Sequence, residues 1–267
     1  MHIITAPLRM LLAAVWLLLA IVSVLVVFLI VAPPERQQRA LTACKSYVCR
    51  RLLKALHIEI EFIGHMHDQT GLVVANHISW LDVLLMTHYG HLHFIAKSEV
   101  KDWPVIGFLT QLVGTLFIRR ENKFQVYRSL PKGQKLLQDG ESLMVFPEGT
   151  TTHGNSTRDF FPMLFEIAMR EQAWVQPIAI RYWNDAGKLS TAVPFIDDDG
   201  IVGNIVKLLL QKKTRAQVVF LPAIDAKQHD RKAMAQISKR AIDRVLAKGI
   251  CPASTRQVPY HQTAIVE

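Results

Sequence analysis

Val73-Val74-Ala75-Asn76-His77-Ile78-Ser79-Trp80-Leu81-Asp82-Val83-Leu84-Leu85-Met86 is an apolar run that breaks at Asn-His and resumes around an acid. The first part has the unbroken hydrophobicity of a buried strand and the second that of a buried helix, so the break reads as a strand-to-helix turn in an α/β sheet. His77 and Asp82 are five positions apart. On one continuous helix, at about 100° per residue, they would point about 140° apart, so they meet only if the chain bends between them. Ser79 followed three residues later by Asp82, ahead of an apolar run, predicts a capping-box-like helix start. That places His77 in the loop and Asp82 in the first helical turn, where its carboxylate reaches back to the imidazole.

On either side of this turn, short apolar runs alternate with helical stretches, which predicts a mostly parallel sheet flanked by helices. The expected strands are Ile58 to Ile63, Leu72 to Ala75, His93 to Ala96, Thr115 to Ile118, Ser142 to Phe146, Val175 to Arg181 and Gln217 to Leu221. The expected helices are Ser79 to Tyr89, Val105 to Leu112, Lys123 to Gln138 with interruptions at Pro131 and Gly133, Pro162 to Glu171, Ile201 to Gln211 and Arg231 to Ala247. A chain of 267 residues holds one such core plus an extension. We divide it into an N-terminal membrane anchor and basic helix (1–57), one catalytic-size domain (58–250) and a tail (251–267).

Met10 to Ala32 is a 23-residue run without charge, about 34 Å long as a helix and able to cross a bilayer. Its length exceeds a signal-peptide core, and Pro33-Pro34 follows where small residues would mark cleavage. Only Arg9 precedes it, whereas Arg36, Arg39, Lys45, Arg50, Arg51 and Lys54 follow, so the remainder is expected on the cytoplasmic side, at the inner membrane if the source is bacterial. Glu35 to His57 carries Leu41, Val48, Leu52, Leu53 and Leu56 among those cations. It reads as an amphipathic helix lying on the membrane surface or packed on the domain, two compatible placements. The formal charge of +9 favours anionic partners. Nucleic acid is set aside, because no basic and aromatic interleaving accompanies the charge. Cys44, Cys49 and Cys251 lack metal-type pair spacing and read as reduced structural thiols.

Three stretches end apolar runs in chemically able residues. His77 with Asp82 has the composition of a general base and the carboxylate that orients it, or of a loop histidine beside a helix cap. Gly114 to Arg120 ends in Arg119 and Arg120, where a sheet offers a phosphate grip or a solvated basic edge. Val145-Phe146-Pro147-Glu148-Gly149-Thr150 presents Glu148 at a tight turn, either as a ligand for a substrate hydroxyl or an arginine, or as a surface acid.

Together these stretches resemble the lysophospholipid acyltransferase family, the glycerolipid acyltransferases that include 1-acylglycerol-3-phosphate acyltransferases. Asn76-His77 through Asp82 matches the family's His-x-x-x-x-Asp block, Phe117-Ile118-Arg119-Arg120 its Phe-Ile-x-Arg block, Phe146 to Thr150 its third, and Val175 to Ile180 its fourth, in the same order. Phe94 to Val100, with Pro104 and Gly107 after it, is similar to the segment linking the first two, and the resemblance runs from roughly residue 60 to 225. It implies an acyltransferase domain in which His77, oriented by Asp82, deprotonates a lysolipid hydroxyl that attacks the thioester of acyl-CoA or acyl carrier protein. Neither a metal, a cofactor nor an acyl-enzyme is implied. Arg120 would hold the acceptor phosphate, Glu148, Gly149 and Thr150 would help place the acceptor, and Lys97 and Arg119 are added for their charge near the site.

One departure bears on the acceptor. Many glycerophosphate-using members carry Arg-Ser after Phe-Pro-Glu-Gly-Thr, whereas this chain has Thr151-Thr152-His153-Gly154, with Arg158 a few residues on. Members acting on other lysolipids, including lyso-ornithine lipid acyltransferases, are similar to the threonine version. The expectation taken is acylation of 1-acylglycerol-3-phosphate to phosphatidic acid. Lyso-ornithine lipid as acceptor, thioester hydrolysis, and a non-catalytic membrane lipid-binding protein are the alternatives.

Overall fold

The computed structural model describes residues 34–69, 71–102, 107, 115–118, 123–196 and 200–248, together with positions 8, 11 and 15. The expected spanning run Met10 to Ala32, apart from Leu11 and Val15, lies outside the described residues, as do the tail from Cys251 and, except for Gly107, the helix expected over Val105 to Leu112. Among the described residues no helix is long and apolar enough to cross a membrane.

Helix α1 (Pro34–Ala55) leads into β1 (Ile58–Ile63) and β2 (Gly71–Ala75), followed by α2 (Leu81–Tyr89), β3 (His93–Lys97) and β4 (Leu116–Ile118). Next come α3 (Lys123–Gln138), β5 (Leu143–Val145), α4 (Glu166–Glu171) and the long β6 (Trp174–Asn184). Helix α5 (Ile201–Leu209), β7 (Thr214–Phe220), β8 (Ile224–Asp225) and α6 (Arg231–Leu246) complete the order. The sheet runs β1-β7-β6-β2-β5-β3-β4, with β8 also paired to β6. Strands β6, β2, β5, β3 and β4 are parallel, and β7 and β8 run antiparallel to β6. The expected mostly parallel sheet flanked by helices is what forms.

Strand β2 lies near its centre and every residue of it is buried. Its alternation assigns Val73 and Ala75 to one face, against α1, α2 and α5, and Leu72 and Val74 to the other, against α3, α4 and α6. In α1 the side chains of Val48, Cys49, Leu52 and Leu53 are buried in the first of these layers, so this part of the helix packs on the domain. Burial pushes the Cys49 thiol up to about 12, leaving it an unreactive packing group.

The expected interruption of α3 does not occur, and the helix continues through Pro131. A proline there forfeits one helical hydrogen bond, and burial of Leu130 and Leu137 against the sheet holds the helix together. Gly133 lets it approach closely, since a Cβ at that position would lie 2.9 Å from Ile167 Cδ1 and 3.2 Å from Leu143 Cδ1. At Gly71, within the sheet, an added Cβ would fall 2.1 Å from the Trp174 carbonyl oxygen. Gly71→Ala is therefore expected to lower the free energy of urea unfolding by about 1–3 kcal/mol. Gly90→Ala, whose Cβ would meet nothing within 4 Å, is expected to change it by less than about 0.5 kcal/mol.

Candidate active site

Parallel strands β2 and β5 end side by side, Val74 pairing with Val145, so the loops that follow them share one edge of the sheet. Ligands of open α/β sheets gather at this carboxyl edge. Asn76 closes the β2 ladder with its side chain, donating from Nδ2 to the Ile180 carbonyl at 3.0 Å and accepting from the Ile180 N–H at Oδ1 at 2.8 Å. Beyond it the chain turns, and the imidazole of His77 stacks on the Phe146 ring with centroids 4.0 Å apart.

Asp82 is fully buried. Its Oδ2 lies 2.8 Å from His77 Nδ1 and accepts from the N–H groups of Ile78 at 2.7 Å and Ser79 at 3.0 Å, while Oδ1 accepts from the Tyr182 hydroxyl at 2.7 Å. Because this carboxylate accepts, Nδ1 carries the imidazole proton and Nε2 keeps its lone pair. Burial, reinforced by Asp82, raises the Tyr182 phenol well above its usual range, so it remains a donor.

The expected cap by Ser79 is not formed. The helix starts at Leu81 after Trp80 in right-handed helical geometry, with no side-chain cap. Asp82 instead reaches back to the Ser79 N–H, which is half of a capping box, and the Ser79 hydroxyl is buried without a hydrogen-bond partner.

Glu148 is buried rather than a surface acid. Its Oε1 accepts from the His77 N–H at 2.9 Å and its Oε2 from the Arg158 N–H at 2.7 Å, so both oxygens serve the backbone of the site. Burial raises its pKa, opposed by those two bonds and by the neighbouring His77. Gly149 takes the left-handed φ of +73° that the turn requires, and Thr150 follows it, half-buried. The threonines of the departing segment also hold the loop. Thr152 donates to the His77 carbonyl from its N–H at 2.8 Å and its hydroxyl at 3.3 Å, and the Thr151 hydroxyl donates to the Phe195 carbonyl. Gly154, at φ +79°, leaves no room for a Cβ beside Ile78. The Arg158 side chain is exposed.

Of the residues singled out in the sequence, the structure brings His77, Asp82, Glu148, Gly149 and Thr150 to one place. Lys97 ends β3, and nothing is described of its side chain; Arg119 and Arg120 lie outside the described residues. Three contributors were missed: Tyr182, Thr152 and the stacking ring of Phe146. Period-two alternation puts Ile178, Ile180 and Tyr182 on one face, and the strand expected over Val175 to Arg181 stops one residue short of Tyr182. That arginine is buried, its guanidinium carbon 5.5 Å from the centroid of the Trp183 ring, and the strand continues to Asn184.

Comparison with known proteins bears on the chemistry. The family model described as Acyltransferase matches residues 57–181. A lyso-ornithine lipid O-acyltransferase of Pseudomonas aeruginosa is 35% identical over 207 residues, covering 78% of this chain and 80% of that one. A 1-acyl-sn-glycerol-3-phosphate acyltransferase of Neisseria meningitidis is 34% identical over 218 residues, covering 80% and 83%. The crystal structure of the 1-acyl-sn-glycerophosphate acyltransferase PlsC from Thermotoga maritima superposes with a TM-score of 0.66 over 92% of this chain and 96% of that one, and its 19% identity makes this a likeness of fold.

Tyr182→Phe leaves a buried Asp82 oxygen without its donor. It is expected to lower the unfolding free energy by about 1.5–3 kcal/mol in urea titration, and to reduce kcat more than it raises KM, because the phenol touches Asp82 and not the imidazole edge left for substrate.

Proposed function

The chain belongs to the acyltransferase family and is an O-acyltransferase, and from that premise we propose that it moves a fatty acyl group from acyl-CoA or acyl carrier protein to a lysolipid hydroxyl at a membrane surface. Acylation of a lysolipid in lipid biosynthesis follows from membership. The donor, the acceptor and the membrane setting are our reading. The observation that carries it is the His77 imidazole, 20% exposed and backed at 2.8 Å by a carboxylate that is 0% exposed.

In this mechanism Nε2 of His77 takes the hydroxyl proton as the oxygen attacks the thioester carbonyl. The tetrahedral intermediate collapses by breaking the carbon–sulfur bond, and the imidazolium returns its proton to the departing thiolate. A diacyl lipid and a free thiol result. Asp82 holds the ring in the required tautomer and stabilises the cation. General-base catalysis of this kind is worth about 10²–10⁴ in rate.

Between 1-acylglycerol-3-phosphate and lyso-ornithine lipid as acceptor, the turn after Glu148 supports the second. Where many glycerophosphate-using members place a guanidinium, Thr151 and Thr152 give their hydroxyls to protein carbonyls, so these two positions offer a phosphate no cation. The membrane setting draws support from α5 and the residue after it. Val202, Leu210 and Val206 are 68%, 53% and 38% exposed in one stripe of this helical segment, beside Lys207, Lys212 and Lys213. Apolar side chains among lysines suit an anionic lipid surface. Asn204 of the same helix accepts from Trp80 Nε1 at 2.9 Å, which ties this stripe to the loop beside the dyad. The cations that follow Met10 to Ala32 favour the cytoplasmic leaflet.

Membranes carrying the protein, given labelled acyl thioesters, are expected to acylate a lysolipid, with kcat/KM highest for lyso-ornithine lipid in a panel that includes 1-acylglycerol-3-phosphate and other lysophospholipids. His77→Ala and Asp82→Asn are each expected to lower turnover by about 10² or more while circular dichroism stays native. Preference for 1-acylglycerol-3-phosphate would overturn the acceptor assignment, and undiminished turnover in both variants would overturn the mechanism.

A further inference from the structure

At the opposite end of β3 from the dyad, three side chains that the acyl-transfer chemistry does not use converge. His91 Nδ1 lies 2.7 Å from Glu141 Oε2, and His93 Nε2 lies 3.5 Å from the same oxygen. The two imidazoles meet edge to face with centroids 5.0 Å apart, and the three ligand-capable atoms all fall within 4.8 Å of one another. His93 pairs in register with Leu143, and Leu143 with Leu72. The cluster is therefore about 16 Å from His77 along the strand direction.

We propose that His91, His93 and Glu141 form a binding site for a divalent transition metal, zinc in the first place. Glu141 Oε2 faces both imidazoles, 2.7 Å from His91 Nδ1 and 3.5 Å from His93 Nε2. At 3.5 Å, His93 Nε2 is too far from the carboxylate for a good hydrogen bond. That separation is close to the distance of about 3.4 Å between two ligands set tetrahedrally at about 2.0–2.1 Å from one zinc ion. Two imidazoles and a carboxylate are a donor set that zinc accepts. The side chains are 29%, 14% and 32% exposed, which leaves a fourth position for water and a path for entry.

The backbone under each ligand is already fixed. Glu141 stands just past the end of α3 in a Schellman arrangement, with Gly140 at φ +85° and the Glu141 N–H donating to the Leu136 carbonyl at 2.9 Å. The His93 N–H donates to the Ser142 carbonyl at 2.9 Å, which sets the two side chains next to each other. Leu92, between the two histidines, is buried and anchors their short segment. Bound metal would clamp the start of β3 to the α3–β5 turn. Its effect is on stability, because the dyad lies at the other edge of the sheet.

The test uses the full chain, stripped with chelator and titrated with zinc in a calorimeter, and with cobalt(II) as a spectroscopic probe. Saturable binding of one ion is expected, together with a higher melting temperature, an intense visible cobalt band of tetrahedral type, and an unchanged acyl-transfer rate. His91→Ala, His93→Ala and Glu141→Gln are each expected to weaken zinc by about ten-fold or more and to abolish the cobalt band while circular dichroism stays native. No saturable ion in the wild-type chain would overturn the site, and so would binding that survives in all three variants. Loss of acyl transfer in His77→Ala does not touch this outcome, so the two readings fail separately.

Discussion

The buried carboxylate of Asp82 is the constraint on which the rest of the site depends. An ionised carboxylate taken from water into a protein core is tolerated only where donors replace its hydration, and Asp82 has four: one imidazole, one phenol and two backbone N–H groups. Those donors come from the loop and the far part of β6, and Asp82 itself stands at the start of α2. Satisfying the charge therefore fixes where all three stand. The same bonds leave Nε2 of His77 at the edge of the sheet with its lone pair available, so structural need and catalytic geometry coincide at one side chain.

The loop between β2 and α2 could not hold this position through Asp82 alone. Each backbone group of His77 and Ile78 has a partner: Glu148 and Thr152 for His77, and Asp82 and Phe195 for Ile78. Asn76 secures the loop's entry to β6. A turn whose backbone groups at His77 and Ile78 are all paired moves little, and a base held within a fraction of an ångström of its working position needs such support. Glu148 accordingly supports the turn by accepting from its backbone, and Thr152 supports it in the segment where other members of the family carry arginine and serine.

Much of this was legible in the chain. Unbroken apolar runs such as Val73 to Ala75 and Leu143 to Val145 can only be buried on both faces, and that dictates a helix-covered parallel sheet. Four ordered blocks pointed to the dyad that the structure places in contact. The rest was hidden for physical reasons. Ser79 looks like a cap by spacing, yet Asp82 takes over that work once its carboxylate is buried. Arg181 looks like a strand end by charge, yet its guanidinium sits over the Trp183 ring and the strand goes on to deliver Tyr182. Partners separated by seventy to a hundred residues, such as Glu148 with the His77 N–H or Tyr182 with Asp82, are set by strand order, and no local pattern records them.

The most direct measurement of the central claim is nitrogen NMR of the protein labelled with 15N-histidine, with the His77 signals assigned by their loss in His77→Gln. If Asp82 sets the tautomer, neutral His77 carries its proton on Nδ1, with that proton shifted far downfield, and Nε2 shows the resonance of an unprotonated nitrogen. Asp82→Asn should remove the downfield proton and redistribute the tautomers. A wild-type His77 protonated on Nε2 when neutral, or an Asp82→Asn spectrum unchanged from it, would contradict the account.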